Sequence, residues 1–177
     1  MALSVELVER IRRIKLAIFD VDGVLTDGGL HYGPDGEDSK MFNTLDGHGL
    51  KMLSASGVEL AIISGRASRA LERRAKDLGI DKLFMGVENK LNAFERLLTN
   101  LSLSPEQSAG LGDDVVDLPF LKRCGFAACV PSAPLYVQQH VHYVTAVQGG
   151  HGAAREFCDL IMQTQGTWDA ALQRYLD

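Results

Sequence analysis

The chain has 177 residues, the length of one domain with a full hydrophobic core, and a formal net charge of −5. This charge argues against nucleic acid as the main partner, because binding a phosphate backbone requires a basic face. No apolar run approaches the roughly 20 residues of a membrane span, and the amphipathic start lacks the apolar core of a signal peptide. Three cysteines form neither a metal-binding spacing nor an even disulfide set, which predicts a cytoplasmic protein: Cys124, Cys129 and Cys158.

The first predicted strand, residues 15–20, is apolar and leads directly into Asp20-Val21-Asp22-Gly23. Side chains at i and i+2 point the same way along a strand, so both acids can reach one site at the strand's carboxyl end. Gly23 allows the backbone to turn sharply there. Two anions this close raise each other's pKa unless a cation lies between them. Taken alone, these residues would fit an ordinary surface turn about as well.

A β-hairpin is predicted directly after this motif, at about residues 29–44. Residues 30–32 and 39–43 flank Gly33-Pro34-Asp35-Gly36, which has the composition of a turn. An isolated two-stranded hairpin is only marginally stable in water, so its apolar side chains need a partner surface. They either fold back on their own domain or contact another subunit: Leu30, Tyr32, Met41 and Phe42.

Strands and helices alternate along the rest of the chain. Further strands are predicted at residues 59–64, 82–85, 108–112 and 126–130, and helices at 49–56, 67–78, 90–100, 118–123, 153–163 and 167–175. Ser104-Pro105-Glu106-Gln107 has the pattern of a capping box at a helix start. This alternation predicts one α/β domain over residues 1–177, a Rossmann-like three-layer sandwich with a central parallel sheet and the inserted hairpin. Residues 149–177 form its C-terminal tail.

Two more polar motifs stand at strand ends or helix starts. Ser64-Gly65-Arg66 follows the second strand, where a hydroxyl and free backbone N–H groups can bind an anion. A Ser that only caps the next helix is the alternative. Lys90 begins a helix, where its charge opposes the helix dipole. An anionic ligand would explain this position, although a solvated surface lysine is the commoner case.

Three carboxylates follow the fourth predicted strand, in Gly112-Asp113-Asp114-Val115-Val116-Asp117. Capping of the next helix explains one of these acids, but not three. Hard oxygen ligands in this number suit Mg²⁺, which takes one or two carboxylates together with waters and a substrate phosphate. The sequence therefore predicts a magnesium site at this end of the sheet.

The four polar motifs occur in the order found in haloacid dehalogenase-superfamily phosphatases, and the chain resembles that superfamily over most of its length. Residues 42–49, Ser64-Gly65-Arg66, Asn89-Lys90 and residues 149–156 are similar, within it, to the capless 3-deoxy-D-manno-octulosonate 8-phosphate phosphatase family. The resemblance implies a hydrolase that releases phosphate from this phosphorylated sugar acid in lipopolysaccharide precursor biosynthesis.

The resemblance also implies a role for each motif. Asp20 would be the nucleophile that forms an aspartyl-phosphate, and Asp22 would be the general acid and base. The phosphoryl oxygens would be bound by Ser64 and Lys90. Mg²⁺ would be coordinated by Asp20, the backbone carbonyl of Asp22 and Asp113, with Asp114 or Asp117 orienting these ligands.

For the sugar, the resemblance implies a carboxylate that a guanidinium fork can bind, with Arg66 and Arg74 as the two candidates. His48 would line the site or be a plain loop residue. The remaining substrate-binding candidates are Thr26, Asp46, Gly47 and Gly65.

The gaps between the motifs also bear on how the site is covered. They are too short for a cap domain, since independent domains rarely fall below about 50 residues. A homotetramer is implied, in which the hairpin or residues 149–156 of a neighbouring subunit would cover the site.

Other functions fit the same motifs. A phosphatase acting on a related nine-carbon keto-sugar phosphate would share them, as would the phosphatase module of a nucleotide-sugar synthetase. A non-catalytic assembly protein of the same fold is the alternative from a different class. It would be marked by loss of the first aspartate or of the later acidic pair, and Asp20, Asp22, Asp113 and Asp114 are all present.

Overall fold

The computed structural model describes residues 3–33 and 38–176. Its strands are β1 (Leu16–Phe19), β2 (His31–Tyr32), β3 (Asp38–Ser39), β4 (Glu59–Ile63), β5 (Lys82–Phe84), β6 (Ser108–Gly112), β7 (Phe126–Cys129) and β8 (Tyr143–Val144). Its α-helices are α1 (Val5–Arg12), α2 (Thr44–Ala55), α3 (Arg69–Leu78), α4 (Lys90–Leu101), α5 (Leu118–Leu121), α6 (Leu135–Gln138), α7 (Ala153–Gln165) and α8 (Trp168–Gln173).

A six-stranded sheet in the order β5-β4-β1-β6-β7-β8 forms the centre, and every neighbouring pair is parallel. Strand β1 lies between β4 and β6 and is buried along its whole length, as expected for a strand covered on both faces. The predicted α/β class is therefore confirmed.

Alternate side chains of β1 enter two separate cores, one on each face of the sheet. Ala17 and Phe19 pack with residues of α1, α2, α3, α6 and α7. Leu16 and Ile18 pack with residues of α4 and α5. Helix, sheet and helix thus form the three layers that the sequence predicts.

Several elements differ from the sequence prediction. The described chain adds β8 and α6, which are only two and four residues long and were not predicted. Helix α2 begins at Thr44 rather than at residue 49, because the Asn43 side chain caps it by accepting a bond from Leu45 N at 2.8 Å. The capping box at Ser104 exists, but it starts only the 3₁₀ turn Pro105–Gln107, because β6 follows immediately.

The predicted hairpin is present as the antiparallel pair β2 and β3, with His31 opposite Ser39. Its second strand ends at Ser39, earlier than predicted, and the turn predicted at Gly33-Pro34-Asp35-Gly36 falls largely on residues 34–37, outside the described residues. Phe42 folds back on its own domain, where the Arg74 guanidinium lies 5.6 Å from its ring centre. The other apolar hairpin side chains are exposed: Leu30, Tyr32 and Met41.

Residues 149–156 pack beneath the loop that follows β1 in their own chain. Gly150 N donates to Val24 O at 2.9 Å, and a Cβ atom on Gly149 would lie 1.8 Å from Gly23 O. Helix α7 then buries Ala153, Ala154, Phe157 and other residues in the core. Within one chain this segment therefore supports the loop after β1, and its place over a neighbouring site stays a prediction.

Across residues 3–33 and 38–176, none of the helices combines the length and the apolar character needed to cross a membrane. Cys124, Cys129 and Cys158 are all buried with free thiols.

Candidate active site

The loop after β1 presents Asp20 and Asp22 at the carboxyl end of the central strand. Gly23 has φ +92°, a conformation that side chains other than glycine rarely adopt. The Thr26 hydroxyl fixes this loop from inside, because it donates to Val21 O at 3.2 Å and accepts from Gly28 N at 3.2 Å. Thr26 is buried, so its place in this chain is a structural one beneath the loop rather than on a substrate surface.

Lys90 joins two acids from different elements. Its Nζ lies 2.5 Å from Asp20 Oδ1 and 2.6 Å from Asp117 Oδ1, and all three side chains are buried. Burial lowers the pKa of Lys90, but the two carboxylates outweigh that effect and leave the pKa raised. These ion pairs explain why a lysine occupies the first turn of α4.

Asp117 in turn fixes the backbone that carries the other two acids. Its Oδ2 accepts the N–H of Asp113 at 3.0 Å and the N–H of Asp114 at 3.3 Å. Asp114 is exposed at the mouth of the site, and its own carboxylate accepts the N–H of Val115. Of the two predicted orienting residues, Asp117 therefore makes the contacts that orient the site.

Carboxylate oxygens of Asp20, Asp113 and Asp117 lie within 4.8 Å of one another. Burial and the charge of Asp117 raise the pKa of Asp20 to about 7, against the opposing effect of Lys90. Burial, Asp20 and the other two acids raise the pKa of Asp113 to about 8. Such a concentration of negative charge suits a divalent cation.

The contacts of these three acids show which of them can coordinate a metal ion. Both oxygens of Asp117 already accept hydrogen bonds, from Lys90 and from the two backbone N–H groups. Asp113 lies against the loop, because a Cβ atom on Gly23 would be 2.1 Å from Asp113 Oδ2. Asp20 and Asp113, next to the backbone of residues 22–23, therefore fit the hard oxygen ligands that Mg²⁺ prefers.

A cleft of about 240 Å³ opens over these residues. Ser64 ends β4 within it, and its hydroxyl accepts from Arg66 N at 3.2 Å and donates to Arg66 O at 3.1 Å. The cleft is lined by Asp20, Asp22, Ser64, Gly65, Arg66, Val87, Glu88, Lys90, Asp113, Asp114 and Val116. The structure thus brings all four sequence motifs into one site.

The hairpin reaches this site from one side. Arg66 lies with its Nε 3.8 Å from Asp22 Oδ2, and its Nη2 donates to the Tyr32 hydroxyl at 2.7 Å. Lys40 donates to Asp22 Oδ1, and its side chain is only 2 % exposed. The sequence analysis missed Lys40. Its position in the hairpin directly after the Asp20–Asp22 motif was the available signal.

A family model described as haloacid dehalogenase-like hydrolase matches residues 33–125 of the chain. The 3-deoxy-D-manno-octulosonate 8-phosphate phosphatase KdsC of Yersinia pestis is 42 % identical over 166 residues, which cover 94 % of this chain and 89 % of that protein. The chain belongs to the haloacid dehalogenase-like hydrolases. Its relatives at this level of identity are phosphatases, and the chain is a phosphatase as well.

Solved structures agree with this membership of the haloacid dehalogenase-like hydrolases. A probable YrbI-family phosphatase from Pseudomonas syringae superposes with a TM-score of 0.96 at 55 % identity, covering 98 % of this chain and 99 % of that one. The 3-deoxy-D-manno-octulosonate 8-phosphate phosphatase of Moraxella catarrhalis, solved with magnesium, phosphate and KDO, gives a TM-score of 0.94 at 39 % identity. The alignment covers 96 % of this chain and 98 % of that one.

Four of the substrate-binding candidates lie outside this cleft in the single chain. Asp46 Oδ1 accepts the N–H of Arg155 at 2.8 Å, at the start of α7. Arg74 Nη2 donates to Asn43 O at 2.8 Å, and Gly47 leaves the space that this guanidinium occupies. His48 lies on α2 with its ring centre 5.3 Å from that of Tyr175, in a separate cleft of about 540 Å³.

The positions of these residues have one physical cause. Residues 44–48 belong to a helix rather than a loop, and α2 packs against α7 and α3. Asp46 and Gly47 face those helices and are buried, so within one chain they fix α2 instead of lining the cleft. Arg74 reaches the start of α2 from α3 for the same reason.

Replacement of Asp46 should reduce stability and leave substrate affinity unchanged. Asp46→Ala removes the acceptor at the start of α7 and should lower the free energy of unfolding by about 1–2 kcal/mol in urea titrations. Asp46→Asn keeps an acceptor, and because burial raises the pKa of Asp46, the neutral side chain should cost less. A large rise in KM for Asp46→Asn at unchanged stability would contradict this assignment.

Proposed function

We propose that the protein hydrolyses 3-deoxy-D-manno-octulosonate 8-phosphate to the free sugar acid and inorganic phosphate, with Mg²⁺ as cofactor. The observation that carries this proposal is the pairing of buried Lys90 with Asp20, next to Asp113, at the end of the central strand. This arrangement offers a nucleophile, cations for a phosphoryl group and metal ligands in one cleft. Relatives of 41–46 % identity are named as phosphatases of that substrate.

Mg²⁺ would be held by Asp20, Asp113 and the backbone carbonyl of Asp22. When bound, it supplies positive charge that offsets both the crowded carboxylates and the phosphoryl oxygens. The Moraxella catarrhalis relative was solved with magnesium, and a Haemophilus influenzae relative was solved with cobalt in a structure 44 % identical to this chain. Divalent-cation dependence follows for this chain.

In the first chemical step, a carboxylate oxygen of Asp20 attacks the phosphorus atom and the bond from phosphorus to the sugar oxygen breaks. The departing sugar oxygen takes a proton from Asp22, which leaves a carboxylate there and an acyl phosphate on Asp20. Asp22 suits this task because it lines the cleft and remains partly exposed to a substrate, whereas Asp20 is buried.

In the second step, water attacks the phosphorus atom of the aspartyl-phosphate. Asp22 accepts a proton from this water, the bond between phosphorus and the Asp20 oxygen breaks, and inorganic phosphate leaves. Asp20 is then a free carboxylate and Asp22 is again protonated, so both residues return to their starting states.

Ser64 and Lys90 bind the oxygens of the transferring phosphoryl group. Lys90 is already desolvated and fixed by Asp117, so its charge needs little rearrangement as negative charge develops. The Ser64 hydroxyl and the backbone of Gly65 lie at the end of β4, on the same side of the cleft. Together they enclose the phosphoryl group and reduce its contact with water.

Of the two arginine candidates for the sugar carboxylate, we favour Arg66. Arg66 lines the cleft and its side chain is 43 % exposed, so a carboxylate can approach its guanidinium. Arg74 lies outside the cleft, where it donates to Asn43 O and lies over the face of the Phe42 ring in its own chain.

The proposed substrate indicates the pathway, and the free cysteines indicate the location. Release of the free sugar acid would supply lipopolysaccharide precursor biosynthesis. Three buried free thiols fit a reducing compartment, and we place the reaction in the cytoplasm.

A panel of phosphorylated sugars assayed for released phosphate tests the function. We expect 3-deoxy-D-manno-octulosonate 8-phosphate to give the highest kcat/KM, a nine-carbon keto-sugar phosphate a lower one, and hexose phosphates the lowest. Removal of divalent cations with EDTA should abolish turnover, and added Mg²⁺ should restore it. A higher kcat/KM for the nine-carbon substrate would reassign the substrate. No hydrolysis of any member would indicate a non-catalytic assembly protein.

Substitutions of two neighbouring acids distinguish a direct metal ligand from an exposed acid at the mouth of the site. Asp113→Ala should raise the Mg²⁺ concentration needed for half-maximal activity by at least about tenfold, since a direct ligand is lost. Asp114→Ala is the matched control and should change this Mg²⁺ concentration far less, because Asp114 is exposed and its carboxylate accepts the N–H of Val115. Equal effects of both substitutions would contradict the ligand assignment.

We also propose that the chain is a single phosphatase domain without a cap and that it forms a homotetramer through the hairpin. Three exposed apolar side chains support this, and their burial between subunits would be favourable: Leu30, Tyr32 and Met41. A neighbouring subunit would then complete the cover over the cleft. Phe42 is excluded from the proposed contact, because it packs against Arg74.

Met41→Asp tests this contact, because Met41 is 65 % exposed in the single chain and its loss should not disturb the core. We expect light scattering to detect smaller species, together with reduced activity. Val5→Asp is the matched control, since Val5 is also exposed but lies on α1, away from the hairpin. A fully active wild-type monomer at micromolar concentration would contradict the proposal.

A further inference from the structure

Lys40 has an unusual position for a lysine on an inserted hairpin. Its side chain is 2 % exposed, and its ammonium donates to Oδ1 of Asp22. Lysine is rarely buried unless it is paired, because desolvation of the ammonium is costly. The ion pair joins the hairpin to the acid that the proposed mechanism uses for proton transfer.

The segment that carries Lys40 is fixed at its other end. The Asn43 side chain caps α2 through Leu45 N and donates to Gly150 O at 3.2 Å. Phe42 lies under the guanidinium of Arg74. The ammonium therefore reaches Asp22 from an anchored stretch of backbone, and its position is set by the fold.

The contacts of Asp22 make its two carboxylate oxygens different. Oδ1 accepts from Lys40, whereas Oδ2 faces Arg66, whose Nε is 3.8 Å away, beyond hydrogen-bond distance. Asp22 lines the cleft and its side chain is 22 % exposed. Oδ2 is therefore the oxygen that is available to carry a proton toward a substrate.

We propose that Lys40 is a positioning residue, which holds the Asp22 carboxyl in the orientation that delivers a proton to the leaving sugar oxygen. This inference rests on the proposed phosphatase function. A general acid must lie within hydrogen-bond reach of the oxygen that it protonates. Because the Lys40 ammonium donates to Oδ1, rotation of the carboxyl group away from the cleft would break this hydrogen bond, whether or not Oδ2 carries the proton.

The contact between Lys40 and Asp22 also stabilises the carboxylate that proton transfer leaves behind. The O–H bond at Asp22 Oδ2 breaks, and an O–H bond forms on the sugar oxygen as that oxygen separates from phosphorus with the bonding electron pair. Asp22 becomes a carboxylate, and Lys40 keeps all of its protons. The ammonium is then already placed beside the new negative charge, so little reorganisation is needed.

Substrates whose leaving groups differ in their need for a proton test this role. Lys40→Met keeps a long unbranched side chain and removes the charge. For the sugar-acid phosphate we expect kcat to fall at least about tenfold with a nearly unchanged KM, since proton transfer by a general acid contributes about 10²- to 10⁴-fold. For p-nitrophenyl phosphate, whose leaving group departs without a proton, kcat/KM should stay within about twofold of the wild type, because kcat/KM does not include the later attack of water, in which Asp22 acts as a base. Lys40→Arg should restore part of the lost activity.

Two comparisons keep the outcome interpretable. A hexose 6-phosphate, which has an alkyl leaving group but no carboxylate, should lose as much in kcat as the sugar-acid phosphate does. Lys51→Met is the matched control, because Lys51 is an exposed lysine on α2. This variant should leave kcat unchanged for both substrates. Circular dichroism and thermal melting of each variant check the fold.

Different results would overturn the proposal. An equal loss of kcat/KM with p-nitrophenyl phosphate would indicate a general structural role for Lys40. A loss confined to the carboxylate-bearing substrate, and expressed in KM, would make Lys40 a substrate-binding residue instead. If the wild type proves inactive on the sugar-acid phosphate but the leaving-group pattern holds for other alkyl phosphates, the substrate assignment fails and the positioning role stands.

Discussion

The buried ion pairs of Lys90 are the interaction on which the site depends. Lys90 connects Asp20 at the end of β1 with Asp117 at the start of α5, and Asp117 in turn holds the backbone of Asp113 and Asp114. Loss of one partner in such a buried pair leaves an uncompensated charge, which is strongly destabilising. The proposed nucleophile, the proposed phosphate-binding cation and the proposed metal ligands are therefore fixed by one connected set of contacts.

The parallel sheet explains why these contacts can form at all. β1, β4 and β6 are neighbours and run in the same direction, so the residues that follow them emerge at one edge. Asp20, Ser64 and Asp113 come from these three strand ends, and Lys90 comes from the helix that follows β5. Gly149 and Gly150 pack closely against the backbone of residues 23–27, so a side chain at either position would displace the loop after β1.

The sequence was most informative where burial and chemistry coincide. Strands covered on both faces appear as continuous apolar runs, so β1, β4, β6 and β7 could be predicted. Short elements such as β8 have only partly buried residues and give no such signal. Asp46 and Arg74 were candidates for the substrate site, and the sequence could not show their contacts within the chain, because these depend on which helix lies beside α2 and tertiary packing decides that. Lys40 was missed because its pairing with Asp22 spans the hairpin.

Covalent capture of the intermediate tests the account most directly. Acid quench during turnover should trap an acyl phosphate on an aspartate, and borohydride should reduce it to homoserine. Mass spectrometry of the peptides then locates the homoserine. We expect homoserine at position 20 when substrate and Mg²⁺ are present together, and unmodified Asp20 when either is left out. Steady phosphate release with no modification at Asp20, or with homoserine at position 22 or 113 instead, would contradict the assignment of Asp20 as the nucleophile.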